Sequence, residues 1–309
     1  MKKKTAYTIK NLLELAAEYF DKAEIESPRR NAEYVLSSVL GLNRMDLFLK
    51  YDLVVNDPER VQFRCLAGRI QKGEPWQYVI GHTSFMGLEI DVAPGVLIPR
   101  PETEELVGHV LDIVKKNERQ NINVLDMCTG SGNMIIAFAH FFLNRAESSP
   151  SQTTKNLPGL QMFAVDQSLK ALEIAKKNAA KFPFKDSIQF FQGDLFSCLE
   201  ENNLAGKMDI IMSNPPYVPS EVLKNLSVRV KNYEPREALD GGADGLDYYK
   251  RIIPEAHRFL RSRAFLALEL GEHMMEPIQA IFHQGGVYDN IEFIKDDAGR
   301  IRFAFAQKR

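Results

Sequence analysis

The chain has little cysteine, and the few cysteines stand far apart. Among 309 residues there are three, Cys65, Cys128 and Cys198, and no two of them form a CxxC pair. A sparse, odd-numbered set argues against a disulfide framework and against a structural zinc site. We therefore predict no metal centre and no stabilisation by disulfides.

Long apolar runs and an excess of one charge are also absent. No run approaches the roughly 20 apolar residues that cross a bilayer. The basic residues 1–4 start as a signal peptide does, but Lys10, Asn11 and Glu14 interrupt the apolar core that should follow. The formal net charge of -2 provides no overall positive field for nucleic acid. These absences predict a cytoplasmic protein with no membrane partner and no direct nucleic-acid binding.

Helical periodicity marks the first part of the chain. Across residues 8–73, apolar side chains recur at helical spacing. Ser27 before Pro28 is typical of a helix cap followed by proline in the first turn. Another helix is predicted over residues 58–71. We expect these helices to form a small domain at residues 1–80.

Short strands and turns follow the helical part. Residues 83–85 and 88–92, joined through Gly87, predict a β-hairpin. We place this hairpin in a linker at residues 81–100.

Residues 101–309 alternate short apolar strands with helices and close with two strands in succession. This alternation is typical of a largely parallel sheet covered by helices on both faces. The closing pair predicts an antiparallel hairpin at the edge of the sheet. The polar stretch 145–159 predicts a surface loop. The sequence thus indicates an α/β fold for this domain.

A glycine-containing turn follows the first strand of the alternating region. Glycine lets the backbone turn tightly and approach a ligand, and open α/β sheets bind ligands at the carboxyl ends of their strands. The turn lacks the third glycine of the dinucleotide fingerprint and the lysine of a P-loop. The pattern suits the methionine part of S-adenosylmethionine, although a purely structural turn is the alternative. The motif comprises Asp126, Cys128, Thr129, Gly130, Ser131 and Gly132.

Carboxylates also end the next two predicted strands. Asp166 can accept both ribose hydroxyls, as the corresponding acid does in dinucleotide folds. Asp194 can accept from an adenine amino group, with Leu195 and Phe196 packing against the ring. Each acid alone is also compatible with a cap or an Asx turn. Their order after the glycine turn predicts a nucleoside site.

The tetrapeptide Asn214-Pro215-Pro216-Tyr217 follows a further apolar strand. An amide nitrogen is a poor nucleophile because its lone pair is delocalised into the carbonyl. The asparagine oxygen and a neighbouring main-chain carbonyl can each accept an N–H of a planar substrate, which fixes the nitrogen for methyl transfer. The prolines stiffen the loop, and the tyrosine offers an aromatic face. The tetrapeptide is therefore predicted to be catalytic, on an amide or an adenine nitrogen.

These residues resemble the HemK/PrmC-type protein-(glutamine) methyltransferases. The resemblance spans almost the whole chain, including residues 27–29, 97–104, 214–217 and 238–246. It implies a Rossmann-like S-adenosylmethionine-dependent methyltransferase sheet, preceded by a helical substrate-recognition domain and a β-hairpin linker. It further implies methylation of the glutamine in the Gly-Gly-Gln motif of peptide chain release factors, with S-adenosylhomocysteine as the product.

The same resemblance implies roles for individual residues. The 214–217 tetrapeptide would hold the glutamine, while residues 128–132, Asp166, Leu195 and Asn214 would surround the cofactor.

Particular residues also fit other methyl acceptors than a release factor. Residues 127–130 look more like the sister group that methylates a glutamine of a large-subunit ribosomal protein, since Cys128 stands where glycine is usual. Leu195 likewise stands where an aromatic residue is common. Residues 99–104 and the hairpin look like the release-factor group, which we favour. Adenine-N6 DNA methylation uses a similar tetrapeptide but needs a basic DNA-binding face, which the net charge of -2 disfavours.

Overall fold

The computed structural model describes residues 7–116, 121–147 and 159–309. Its first part contains only helices, and strands alternate with helices farther along the chain. The helices are α1 (Ile9–Asp21), α2 (Pro28–Leu40), α3 (Arg44–Leu49), α4 (Asp57–Gln71), α5 (Trp76–Ile80), α6 (Pro101–Lys116), α7 (Asn133–Glu147), α8 (Leu169–Ala179), α9 (Ser197–Glu201), α10 (Ser220–Leu223), α11 (Val228–Tyr233), α12 (Asp247–Ala256) and α13 (Met275–Gly285). The strands are β1 (His82–Phe85), β2 (Leu88–Asp91), β3 (Asn121–Met127), β4 (Gly159–Asp166), β5 (Ile188–Gln192), β6 (Met208–Ser213), β7 (Leu260–Glu269), β8 (Tyr288–Lys295) and β9 (Ile301–Lys308).

The chain divides into two units. The helical unit comprises Met1–His82 and Ser227–Tyr233, and the sheet unit comprises Thr83–Leu226 and Glu234–Arg309. The later segment of the helical unit is tied to the earlier one by the Tyr233 hydroxyl, which donates to the Lys72 carbonyl at 3.0 Å. The functional division into residues 1–80, 81–100 and 101–309 stays a prediction.

The helical unit has its own apolar core. Ile9, Leu13 and Phe20 lie on one face of α1 and are fully buried, together with Val35 and Leu36 of α2. Burying each such side chain contributes about 1.5–3 kcal/mol. The helical periodicity read from the sequence is thereby confirmed.

Ser27 precedes α2 as predicted, but its side chain does not cap the helix. Its backbone is left-handed, with φ 51°, and no side-chain hydrogen bond reaches the first turn. A capping side chain needs an extended backbone to reach the free N–H groups. Thr8, Asn43 and Asn56 have that backbone, and their side chains do cap α1, α3 and α4.

The sheet unit contains a seven-stranded sheet in the order β5-β4-β3-β6-β7-β9-β8. The first five strands of that order are parallel, whereas β9 runs antiparallel to both β7 and β8. The predicted α/β fold and its antiparallel closing hairpin are confirmed. Strand order reverses between β3 and β6, and ligands of open α/β sheets bind outside the carboxyl ends at such a switch point.

The inner strands are buried on both faces. Every residue of β6 is buried, as expected for a parallel strand with helices above and below. A separate two-stranded sheet joins β1 to β2, in agreement with the predicted hairpin. No helix of the described ranges is both long enough and apolar enough to cross a membrane.

The predicted loop at 145–159 differs from the structure at both ends. Helix α7 continues to Glu147, so the prediction was wrong for residues 145–147. Those three residues are Arg, Ala and Glu, which all favour a helix. Strand β4 already begins at Gly159. Residues 148–158 lie outside the described residues.

Candidate active site

A cavity of about 560 Å³ lies in the sheet unit, beside the ends of β3, β4 and β6. That volume is ordinary for a site that binds a small molecule. The predicted site residues in its wall are Cys128, Thr129, Gly130, Ser131, Asp166, Asp194, Leu195, Asn214 and Pro216. The predicted site residues outside its wall are Asp126, Gly132, Pro215 and Tyr217. The fold therefore brings most of the predicted site to one place.

The turn after β3 has a left-handed backbone at three positions. The φ angles are 63° at Cys128, 55° at Gly130 and 78° at Gly132. A Cβ added to Gly130 would meet open space, whereas one on Gly132 would lie 3.1 Å from the Cβ of Ala175. Gly130 thus leaves the backbone accessible to a ligand, and Gly132 lets α8 approach the turn. Cys128 occupies a conformation that glycine adopts without strain.

Asp126 is fully buried beneath this turn. One carboxylate oxygen accepts from the Thr129 hydroxyl at 2.6 Å. The other oxygen, Oδ1, makes no hydrogen bond of good geometry within the described residues. The Ile135 N–H lies close enough to the carboxylate to favour its charged form. Burial raises the pKa of Asp126 to about 7. A buried acceptor left unpaired is costly, so this oxygen favours a cation or a donor nearby.

Asp166 links the end of β4 to the glycine turn. Its Oδ2 accepts from the Gly130 N–H at 2.9 Å, and its Oδ1 accepts from the Ser168 N–H at 2.8 Å. Burial raises the pKa of the Asp166 carboxyl. Each carboxylate oxygen can accept a second hydrogen bond, so Asp166 can still receive hydroxyls from the cavity.

Asp194 is held at the cavity wall by a cation. Its Oδ2 accepts from Arg251 Nη2 at 2.7 Å. The next residue, Leu195, has a left-handed backbone with φ 52° and a buried side chain. Phe196 does not pack in the cavity as predicted, because it is fully buried and stacks on Phe259 with ring centroids 4.9 Å apart. The reversal of the chain at Leu195 turns the phenylalanine into the core.

Asn214 is oriented by a chain of buried polar groups. Its Nδ2 donates to Thr103 Oγ1 at 3.0 Å, and the Thr103 hydroxyl donates to Glu269 Oε2 at 2.6 Å. The Tyr217 hydroxyl donates to the other Glu269 oxygen at 3.3 Å. Because the Asn214 nitrogen is turned toward Thr103, its side-chain oxygen remains for a ligand in the cavity. Tyr217 takes part in this chain of hydrogen bonds and does not line the cavity.

Several residues of the site were given no role from the sequence. Arg100 and Tyr248 line the cavity, and Arg100 Nη2 donates to the buried Glu234 carboxylate at 2.6 Å. Thr103 also lines the cavity and bonds to Asn214, and Glu269 bonds to Thr103 from outside the cavity wall. Arg100 and Thr103 stand in the 97–104 segment already noted for its resemblance. Glu269 is the last residue of β7, and no local sequence pattern marks it as functional.

Comparison with known proteins covers both units. Residues 11–81 match the family described as PrmC N-terminal domain, and residues 118–282 match the one described as methyltransferase domain. The release factor glutamine methyltransferase of Rhodopirellula baltica is 36% identical over 306 residues, which is 98% of this chain and 97% of the relative. The one from Geobacter sulfurreducens is 36% identical over 283 residues, 92% and 91% of the two chains.

A solved structure gives the fold alone. The hMettl16 catalytic domain in complex with the MAT2A 3′UTR hairpin 6 has a TM-score of 0.50 and 18% identity, with 82% of each chain covered. The curated relatives show more, since their identity extends over nearly the full length of both chains. This confirms the resemblance found in the motifs, and the chain therefore belongs to the family of release factor glutamine methyltransferases.

Proposed function

We propose that this protein transfers a methyl group from S-adenosylmethionine to the side-chain amide nitrogen of the glutamine in the Gly-Gly-Gln motif of peptide chain release factors. The observation that carries the proposal is the orientation of Asn214, whose oxygen is left for an N–H donor in the cavity. The names of the relatives favour a release factor over a ribosomal protein as the acceptor.

The residues present fit S-adenosylmethionine. Gly130 offers open backbone to the methionine carboxylate, and Asp166 has acceptor capacity left for the ribose hydroxyls. Asp194 can accept from the adenine amino group while Leu195 and Tyr248 flank the ring. A cationic group near the buried Asp126 carboxyl, behind Thr129, would favour its ionised form, which burial opposes.

Asp126 therefore acts from a distance in this proposal. It does not line the cavity, so its charge favours the sulfonium and amino groups through Thr129 without touching them. Cys128 serves as a small turn residue. Burial raises the pKa of its thiol, which keeps the sulfur protonated and a poor nucleophile.

S-adenosylmethionine supplies an electrophilic methyl group when it is bound. The Asn214 oxygen and a neighbouring main-chain carbonyl accept the two N–H groups of the substrate amide. These bonds hold the nitrogen in place and let electron density build on it during transfer. Pro215 and Pro216 stiffen the loop that carries these acceptors. The surplus proton leaves after transfer, so no histidine or glutamate base is needed.

The organisation of the chain follows from this activity. We assign substrate recognition to residues 1–80, a linking role to residues 81–100 and catalysis to residues 101–309. Action on release factors places the protein in the cytoplasm, with the release factor as its partner and no direct contact with nucleic acid required.

A single-turnover methyl-transfer assay on a release factor tests the proposal. Asn214→Ala should lower the rate about 100-fold or more while cofactor binding survives in part. Asn225→Ala, at an exposed asparagine outside the cavity wall, is the matched control and should keep the parent rate. A near-normal rate in the Asn214 variant would contradict the mechanism. Mass spectrometry that locates the methyl group on a ribosomal protein instead would contradict the substrate.

A further inference from the structure

We propose that Thr103 and Glu269 fix the orientation of the Asn214 amide and thereby make the site select glutamine over glutamate. Both are positioning residues in this proposal, because Thr103 bonds to Asn214 and Glu269 bonds to Thr103. Thr103 also lines the cavity wall, whereas Glu269 does not, so Glu269 variants test the positioning role by itself. The inference rests on the proposed function and names what determines specificity at that site.

The three side chains come together from separate elements. Strands β6 and β7 pair in parallel with Ser213 opposite Leu268, so the next residues, Asn214 and Glu269, reach the same edge of the sheet. Thr103, in the first turn of α6, lies between them and bonds to both, at 3.0 and 2.6 Å. Thr103 is 2% exposed and Glu269 is 1% exposed, so bulk water does not replace either partner.

The direction of the hydrogen bonds follows from donor and acceptor chemistry. A carboxylate only accepts, so the hydroxyls of Thr103 and Tyr217 must both donate to Glu269. The Thr103 oxygen then has only lone pairs left to offer Asn214, and it accepts from the amide nitrogen. A reversed Asn214 amide would place its oxygen against those lone pairs. We call this chain of hydrogen bonds, from Asn214 through Thr103 to Glu269, the relay. It turns the nitrogen of Asn214 toward Thr103 and leaves its oxygen for the cavity.

The ionised state of Glu269 has identifiable support. Burial raises the pKa of Glu269 to about 7, while the hydrogen bond from Thr103 and the charge of Arg302 favour the carboxylate. Glu102 on α6 is a nearby like charge that opposes ionisation, and Tyr217 donates to the carboxylate. The hydrogen bonds have the stated direction above that pKa, so the peptide-binding experiment is carried out at about pH 8, where the carboxylate predominates.

Glutamine and glutamate have nearly the same size and differ in hydrogen-bond polarity. Glutamine presents an NH₂ donor where glutamate presents an acceptor oxygen. The Asn214 oxygen accepts from the first and repels the second. Selection by polarity rejects the wrong side chain because the Asn214 oxygen is left without a donor and its partial negative charge faces a carboxylate.

Binding of two synthetic peptides tests the relay. One carries Gly-Gly-Gln and the other Gly-Gly-Glu in an otherwise identical release-factor sequence. Calorimetry is done with S-adenosylhomocysteine present, which prevents turnover. Thr103→Val keeps the shape but removes the hydroxyl, and we expect the preference for the glutamine peptide to fall about tenfold or more. Thr103→Ser retains a hydroxyl and should retain the preference.

Two further variants separate the relay from general damage. Glu269→Gln can donate as well as accept, so it should also lower the preference, and the double variant with Thr103→Val should be no worse than either alone. Thr83→Val makes the same change at another buried threonine, outside the cavity wall, and should keep the parent preference. A merely structural role would weaken both peptides equally.

The outcomes distinguish the relay from the proposed function. An unchanged preference in Thr103→Val, with cofactor affinity intact, overturns the relay and leaves the proposed function standing. If Thr103→Val loses cofactor binding, the Glu269→Gln variant decides, and an unchanged preference there overturns the relay. A parent protein that does not prefer the glutamine peptide overturns the proposed function and the relay together.

Discussion

The glycine turn after β3 allows one substitution to be compared at two neighbouring positions. Gly130 and Gly132 both have left-handed backbones, with φ angles of 55° and 78°. A Cβ at Gly130 meets open space, but a Cβ at Gly132 would lie 3.1 Å from the Ala175 Cβ and 3.2 Å from the Ile136 Cδ1. Alanine at the two sites should therefore have different effects.

The magnitudes follow from strain and packing. At either position alanine must adopt the left-handed conformation, which destabilises a residue with a Cβ by about 1–2 kcal/mol. Gly132→Ala also overpacks the contact with α8, which adds about 1–3 kcal/mol. We expect a loss in the free energy of unfolding of about 1–2 kcal/mol for Gly130→Ala and about 2–5 kcal/mol for Gly132→Ala. Cofactor affinity should fall more in Gly130→Ala than in Gly132→Ala, because Gly130 lines the cavity and Gly132 does not.

Urea unfolding followed by circular dichroism measures the first quantity, and calorimetry with S-adenosylhomocysteine measures the second. The single tryptophan, Trp76, lies in the helical unit, so its fluorescence reports separately on that unit and should change little. Equal losses of stability in the two variants would refute the packing argument. Full cofactor affinity in Gly130→Ala would refute the access that we assign to that glycine.

Three further predictions concern charged groups. Asp166→Asn loses the charge and one of the two oxygens that accept a backbone N–H, so the free energy of unfolding should fall by about 1–3 kcal/mol. Cofactor affinity should fall about tenfold or more, and an unchanged calorimetric affinity would contradict the ribose assignment. Burial raises the pKa of Glu269 to about 7, above the roughly 4.3 of an unfolded glutamate, so stability falls as the pH rises between these values. Glu269→Gln should flatten that fall, and an unchanged pH dependence of the urea midpoint would refute the cause. Glu33→Ala should cost about 1–3 kcal/mol in the unfolding of the helical unit, followed by fluorescence, since it leaves Arg29 and Arg44 without their buried partner.

Local sequence patterns predicted the alternation of strands and helices and the polar residues at the ends of the parallel strands. The apolar run at Met208–Ser213 forms β6, the strand predicted to precede the tetrapeptide. The glycine turn, Asp166 and Asn214 all meet at one cavity because parallel strands bring their carboxyl ends to the same edge. Periodicity, turn residues and this rule of topology are local or general, so they can be read without coordinates.

Other features depended on the tertiary structure. Thr103 contacts Asn214 from 111 positions away, and Glu269 reaches Thr103 from 166 positions away. No local pattern encodes these bonds, because they depend on strand register and on how α6 packs beside the sheet.

The burial of single side chains was likewise decided in three dimensions. Phe196 is an aromatic residue that could pack against an adenine ring, but it follows the left-handed backbone at Leu195 and lies in the core. From the sequence alone, the tetrapeptide at 214–217 predicted a site that binds a planar amide or adenine nitrogen. Only the hydrogen bond from Asn214 to Thr103 determined which end of the asparagine amide is left for the cavity, because an amide can rotate until a fixed partner holds it.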